Sequence, residues 1–394
     1  MKMQKLTRGL AASLLAATVT AAQGEAFTDK ATYLVIDLSG GAEAASYPVR
    51  YTSEPPDLSG DTCRTTEMWL RQIPAGTFMM GSPENEFGRE RGGSNGKEDL
   101  HSVKLTKPFY MGVFEVTQKQ WELVMGTNPS SFLKRDEEDD EERYSWKWRQ
   151  EMGIGIYTDT HPVETVSYEM IRGDVNGAMW PLADRVDRNS FFGKLRAKTS
   201  LVADLPTEAQ WEYACRAGTT TALNNGKDLT APKSSPYICP NLAEVGLYDR
   251  NKIFDDVNIA NIIEKLFKDR NTKDPFERNR INAEKDVLKG HFKNMPLEHT
   301  KVGMYKPNAW GLYDMHGNVG EWCLDYFEGS LGISDVVDPK GAKGGERVVR
   351  GGSFSGLGGN ATANLCRSAA RGGSQAAEYK KPDIGFRIVV LPSP

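Results

Sequence analysis

Two carboxylates, Asp314 and Glu321, flank Gly317 and Val319 within residues 307–322, PNAWGLYDMHGNVGEW. Gly311, Gly317 and Gly320 permit backbone turns that a side chain would obstruct. Trp310, Leu312, Tyr313, Val319 and Trp322 are apolar anchors large enough to hold such a loop. Carboxylate oxygens and turned-out carbonyls could then converge on one point, which is how a hard cation such as calcium is held. The same spacing also suits a tight structural turn whose acids face water, because it does not follow the EF-hand pattern.

The other reactive side chains offer less. Five cysteines, Cys63, Cys215, Cys239, Cys323 and Cys366, allow at most two disulfides and one leftover thiol. His101, His161, His291, His299 and His316 are scattered, with neither H-E-x-x-H nor C-x-x-C spacing for zinc. His316 reads as a turn histidine inside the central loop. Gly351-Gly352-Ser353 lacks the P-loop lysine and the G-x-S-x-G elbow, so neither nucleotide binding nor serine hydrolysis is supported. Arg367 and Arg371 could pair with a carboxylate, sulfate or phosphate, or be tied to neighbouring acids. The formal net charge of −4 gives no reason to expect nucleic acid or anionic membrane as a partner.

The elements that must position these groups follow from pattern. With 394 residues and 39% hydrophobic content the chain can bury a full core. Residues 1–26 read as an export signal: Lys2, Lys5 and Arg8, a short apolar run over 10–22, and small residues near Ala21. The run is too short to span a bilayer. The mature protein is therefore expected in the periplasm or outside the cell. Residues 33–38 and 47–51 read as short strands of a small β annex over 27–66, packed on the main domain. The core over 67–394 opens with strands at 69–73, 103–105 and 111–116. Thr117 and Gln120 then form a capping box, and Gly126 ends that helix. The same grammar returns at Thr207, Gln210 and Gly218, which predicts two amphipathic helices docking on one sheet through Trp121 and Trp211. Residues 346–350 read as a strand feeding the Gly351 turn. Insertions are expected near 134–153, with its acidic run 136–142, near 171–200, and near 251–299, with helical character around 259–267.

The motif set resembles the formylglycine-generating enzyme (sulfatase-modifying factor) family. The central stretch is similar to that family's N-x-x-G-L-x-[DN]-x-x-G-N-x-x-E-W pattern. Four further stretches agree in the family's order: 74–81 (PAGTFMMG), 108–117 (PFYMGVFEVT), 205–214 (LPTEAQWEYA), and 350–353 (RGGS) with 385–387 (GFR). The resemblance covers roughly residues 67–390. It implies an α+β, C-type-lectin-like fold with low regular structure and an irregular face built by C-terminal loops.

The resemblance also implies a chemistry and a departure from it. The family's oxidases carry two closely spaced cysteines soon after Gly-Gly-Ser, which bind copper and the substrate thiol; soft thiolates suit Cu(I). Here residues 354–365 read FSGLGGNATANL, with neither cysteine. Cys366 reads as a scaffold cysteine, and one thiol cannot make a two-sulfur site. The expectation is a non-oxidising binding module for a peptide, protein or sugar, with a sulfatase or a cell-surface component as candidate partner. Ser355, Asn360, Arg367 and Arg371 would face its ligand. The alternative is a copper- and oxygen-dependent formylglycine-generating oxidase with a displaced site. The resemblance places structural calcium on the side chains of Asp314 and Glu321 and the carbonyls of Gly317 and Val319.

Overall fold

The computed structural model describes residues 32–89, 98–132, 158–230, 239–248, 278, 281–282, 285, 299–355 and 362–391. The export segment, the acidic run 136–142, the helical stretch 259–267 and Asn360 lie outside the described residues.

Alternating apolar residues build a six-stranded sheet in the spatial order Val49–Thr52, Tyr33–Asp37, Glu67–Ile73, Phe109–Gly112, Val389–Leu391, Val202–Asp204. Tyr33–Asp37 pairs antiparallel with Glu67–Ile73 along its whole length, from Tyr33 opposite Arg71 to Asp37 opposite Glu67. The two N-terminal strands therefore continue the main sheet at its edge. A short pair gains more by extending a sheet already covered by core than by standing alone. The strand expected over 111–116 ends at Gly112, and Val113 to Val116 run on as irregular chain.

A four-stranded sheet, ordered Gly373–Gln375, Arg347–Arg350, Gly320–Tyr326, Ile384–Gly385, carries the central loop into the core. Ile384–Gly385 runs parallel to Gly320–Tyr326, with Gly385 opposite Glu321. Gly385 is required there: a Cβ would lie 2.4 Å from the Val163 carbonyl oxygen. A third sheet joins Gly76–Met80, His101–Leu105 and Val336–Val337.

Both expected capping boxes are present. Thr117 accepts from the Gln120 N–H and Thr207 from the Gln210 N–H, opening helices Gln118–Met125 and Glu208–Arg216. The first helix ends at Gly126 in the left-handed conformation, the second at Ala217. They pack against opposite faces of the same six-stranded sheet, through alternating residues of strands Glu67–Ile73, Phe109–Gly112 and Val389–Leu391. Trp121 stacks on Phe191 in a cluster with Leu34, Leu70 and Phe386, whereas Trp211 packs with Ile73, Met111, Leu312 and Val348. Capping fixes where a helix starts, and its apolar stripe decides which core it meets. The mix of helices and strands is α+β.

Candidate functional site

The central loop is held from inside by one asparagine. Asn308 Oδ1 accepts from the Trp310 and Leu312 N–H groups, and its amide donates to the carbonyls of Ala214 and Cys215. Asp314, Gly317 and Asn318 all adopt positive φ, at 56°, 95° and 59°. At Gly317 a Cβ would lie 1.8 Å from the Leu247 carbonyl oxygen, so only glycine lets the loop meet residues 246–248.

Three buried carboxylates gather there. Glu115 accepts from the Asn318 amide (2.6 Å) and the Val319 N–H (3.1 Å). Asp314 Oδ2 accepts from the Gly303 N–H (2.6 Å), while its Oδ1 is buried with no partner. Glu321 is held at both oxygens by Arg387, at 2.7 Å each, and its Oε2 also accepts from the Trp211 indole N–H at 2.8 Å. Burial, then the neighbouring charges of Asp314 and Glu321, pushes the Glu115 carboxyl well above its ordinary range. Burial raises Asp314 to about 6.

The fit to a calcium ion is uneven. Asp314 suits it, because its buried Oδ1 accepts no hydrogen bond and its lone pairs are left for a cation. Glu321, expected as a ligand, has its oxygens engaged by Arg387 and Trp211.

The C-terminal face also differs from expectation. Arg367 and Arg371 are 1% and 2% exposed. Arg367 forms a two-point pair with Glu98 (2.8 and 2.7 Å) and reaches Glu86 at 2.6 Å. Arg371 pairs with Glu208 at 2.7 and 3.0 Å. Their expected role in ligand binding is thereby corrected: a buried guanidinium needs a carboxylate partner, and these have theirs inside the fold. Ser355 is half-buried and donates to Asp383, as does Ser353.

All five cysteines are buried and none is in a disulfide. Burial pushes Cys215 and Cys366 up to about 12 and Cys323 well above the ordinary thiol range. Cys215 Sγ lies 3.8 Å from His316 Nε2, but that nitrogen already accepts from the Asn224 N–H at 3.1 Å. His316 Nδ1 lies 2.6 Å from the Cys366 carbonyl, which makes it the donor. Burial lowers His316 to about 4. A neutral imidazole with both nitrogens engaged cannot take the proton that would turn Cys215 into a nucleophile.

One constellation was invisible in the sequence. His161 and His299, 138 residues apart, bring their Nδ1 atoms to 3.0 Å, and His299 Nε2 lies 3.8 Å from Glu164. The His299 ring packs edge-on to Phe132 and Phe354. No local spacing signals it. Among the described residues no group of three or more His, Cys, Asp or Glu side chains is arranged to hold a metal.

Comparison with known proteins places these features. The description "Sulfatase-modifying factor enzyme 1-like domain" matches residues 56–391. Formylglycine-generating enzyme of Mus musculus is 24% identical over 327 residues, covering 80% of this chain and 73% of that protein. Formylglycine-generating enzyme of Streptomyces coelicolor is 31% identical over 185 residues, covering 46% of this chain and 45% of its own. Among solved structures, Treponema denticola variable protein 1 is 22% identical with a TM-score of 0.48, covering 83% of this chain and 96% of that one.

Proposed function

The chain belongs to the sulfatase-modifying factor enzyme 1-like family, and we propose that within it this protein is an exported, non-oxidising binding module for a peptide, protein or sugar. The observation that carries the reading is the state of the thiols. No cysteine occurs between Gly352 and Leu365, where the oxidases bind copper through two sulfurs. Cys366 is fully buried, and a Cβ on Gly352 would lie 2.6 Å from its sulfur. A thiol so enclosed meets neither a metal nor a substrate cysteine.

Calcium bracing of the central loop is part of the proposal, centred on Asp314 with the carbonyls of Gly317 and Val319. When bound, such an ion supplies charge neutralisation and fixes the loop. Arg387 independently neutralises Glu321, so the chain itself provides part of the brace. A sulfatase or a cell-surface component is the proposed kind of partner, met on the face around Ser355.

The test incubates purified protein with a cysteine-containing sulfatase-motif peptide, Cu(I) and oxygen, beside an active formylglycine-generating enzyme. The expected mass of the peptide is unchanged. Conversion to the aldehyde would overturn the proposal in favour of an oxidase with a displaced site. The similarity to the mouse enzyme over 80% of this chain is what favours that second reading. In that case Cys366→Ser should abolish the conversion.

A further inference from the structure

We infer that Arg64 is a positioning residue for Asp314 and, resting on the calcium brace proposed above, sets how tightly the central loop holds its ion. The two side chains meet through one peptide group. Arg64 Nε donates to the Val302 carbonyl at 3.0 Å, and the Gly303 N–H of the same peptide donates to Asp314 Oδ2 at 2.6 Å. A trans peptide is planar, so its carbonyl and its N–H point in opposite directions and turn together. A cation on the carbonyl and a carboxylate on the N–H make both bonds charge-assisted, and each polarises the peptide in favour of the other. With Oδ2 fixed in this way, Oδ1 remains the buried oxygen without a partner.

The bridging peptide has little room to turn. Gly303 adopts a φ of 76°, and a Cβ there would lie 2.6 Å from the Phe114 ring and 3.3 Å from Arg64 Nη2. The Val302 N–H donates to the Thr160 carbonyl at 3.0 Å, which fixes the chain just before the bridge. Arg64 is buried and is itself held. Its guanidinium lies 5.2 Å from the centre of the Phe114 ring, Nη1 donates to the Gly60 carbonyl at 3.1 Å, and its own carbonyl accepts from the Thr117 hydroxyl at 2.7 Å. Phe114 packs in turn on Tyr313, the residue before Asp314, with ring centres 5.2 Å apart. Nη1 also lies 3.4 Å from Asp61, whose side chain is 49% exposed, so water screens that pair. The Nε bond to Val302 is the one that reaches the loop, across 238 residues of sequence.

The test compares wild type, Arg64→Met and Lys301→Met in the full chain after EDTA treatment. It reads hydrogen exchange of the Gly303 amide by NMR without metal, then affinity for calcium alone by titration calorimetry. Arg64→Met should speed Gly303 exchange and weaken calcium binding by at least about tenfold, the cost of losing a group that orients a metal ligand. Lys301→Met removes the neighbouring ion pair with Asp61 and should leave both readings unchanged. Unchanged Gly303 exchange in Arg64→Met would overturn the inference, as would faster exchange with calcium affinity retained. An equal loss in Lys301→Met would overturn it too, by making the contact a general anchor. Absence of calcium binding in the wild type would overturn the calcium brace, and the exchange reading alone would then decide whether Arg64 fixes the Gly303 N–H against Asp314. If Arg64→Met fails to fold, Arg64→Lys takes its place. It keeps a charge and a donor without the rigid fork and should show a smaller loss in both readings; equality with the wild type would overturn the inference.

Discussion

Arg387 grips Glu321 through two 2.7 Å bonds across 66 residues of sequence, and both side chains are fully buried. The pair ties the GFR stretch near the C-terminus to the first residues of strand Gly320–Tyr326. It also brings one positive charge to a site where Glu115 and Asp314 add two further carboxyls. Removing one partner leaves an unpaired charge in the core. Arg387→Met should therefore destabilise the protein by about 3–5 kcal/mol in urea unfolding. Adding Glu321→Gln should recover part of that loss; no recovery would mean that Arg387 acts chiefly through its bonds to the Gly112 and Tyr313 carbonyls.

Metal removal tests the loop directly. EDTA should lower the melting temperature of the wild-type protein, with calcium restoring it. Asp314→Asn should lose that response. A melting curve indifferent to both additions in the wild type would remove calcium from the loop.

The thiols should be silent in the native state. Iodoacetamide followed by intact-mass measurement should label none of the five cysteines before unfolding and all five in denaturant, because each is buried and outside any disulfide. Fast modification of Cys366 in the folded protein would contradict its enclosure and reopen the oxidase reading.

Asp325 gives a signed pH dependence. Burial, then the adjacent Glu208 charge, raises its carboxyl to about 7 from an ordinary 3.8. The folded state thus holds a proton that the unfolded chain releases between these values. Stability from this group is present below about pH 4 and is lost as pH rises toward 7, at no more than about 1.4 kcal/mol per pH unit. Asp325→Asn should flatten the difference in unfolding free energy across that window. A parallel pH dependence in variant and wild type would show that Asp325 ionises freely in the fold.

Local grammar was legible. The capping boxes at Thr117 and Thr207 involve partners three residues away, and the strands at 33–37 and 67–73 announce themselves by composition and alternation. The face of the sheet on which each helix docks was not. The matched helices that begin after these caps meet different cores, because that choice depends on surfaces contributed by Phe191, Phe386, Leu312 and Val348 from elsewhere in the chain.

By itself the sequence determined the motif order, the turns that need glycine, the helix starts and the missing cysteine pair, all of which depend on residue type within short range. Only the tertiary structure decided how the charged residues are used. Arg367 finds Glu98 across 269 residues, Arg371 finds Glu208 across 163, and His161 finds His299 across 138. A buried ion must find a partner in space, and nothing in the spacing of the chain records which distant residue the fold will bring within three ångströms of it.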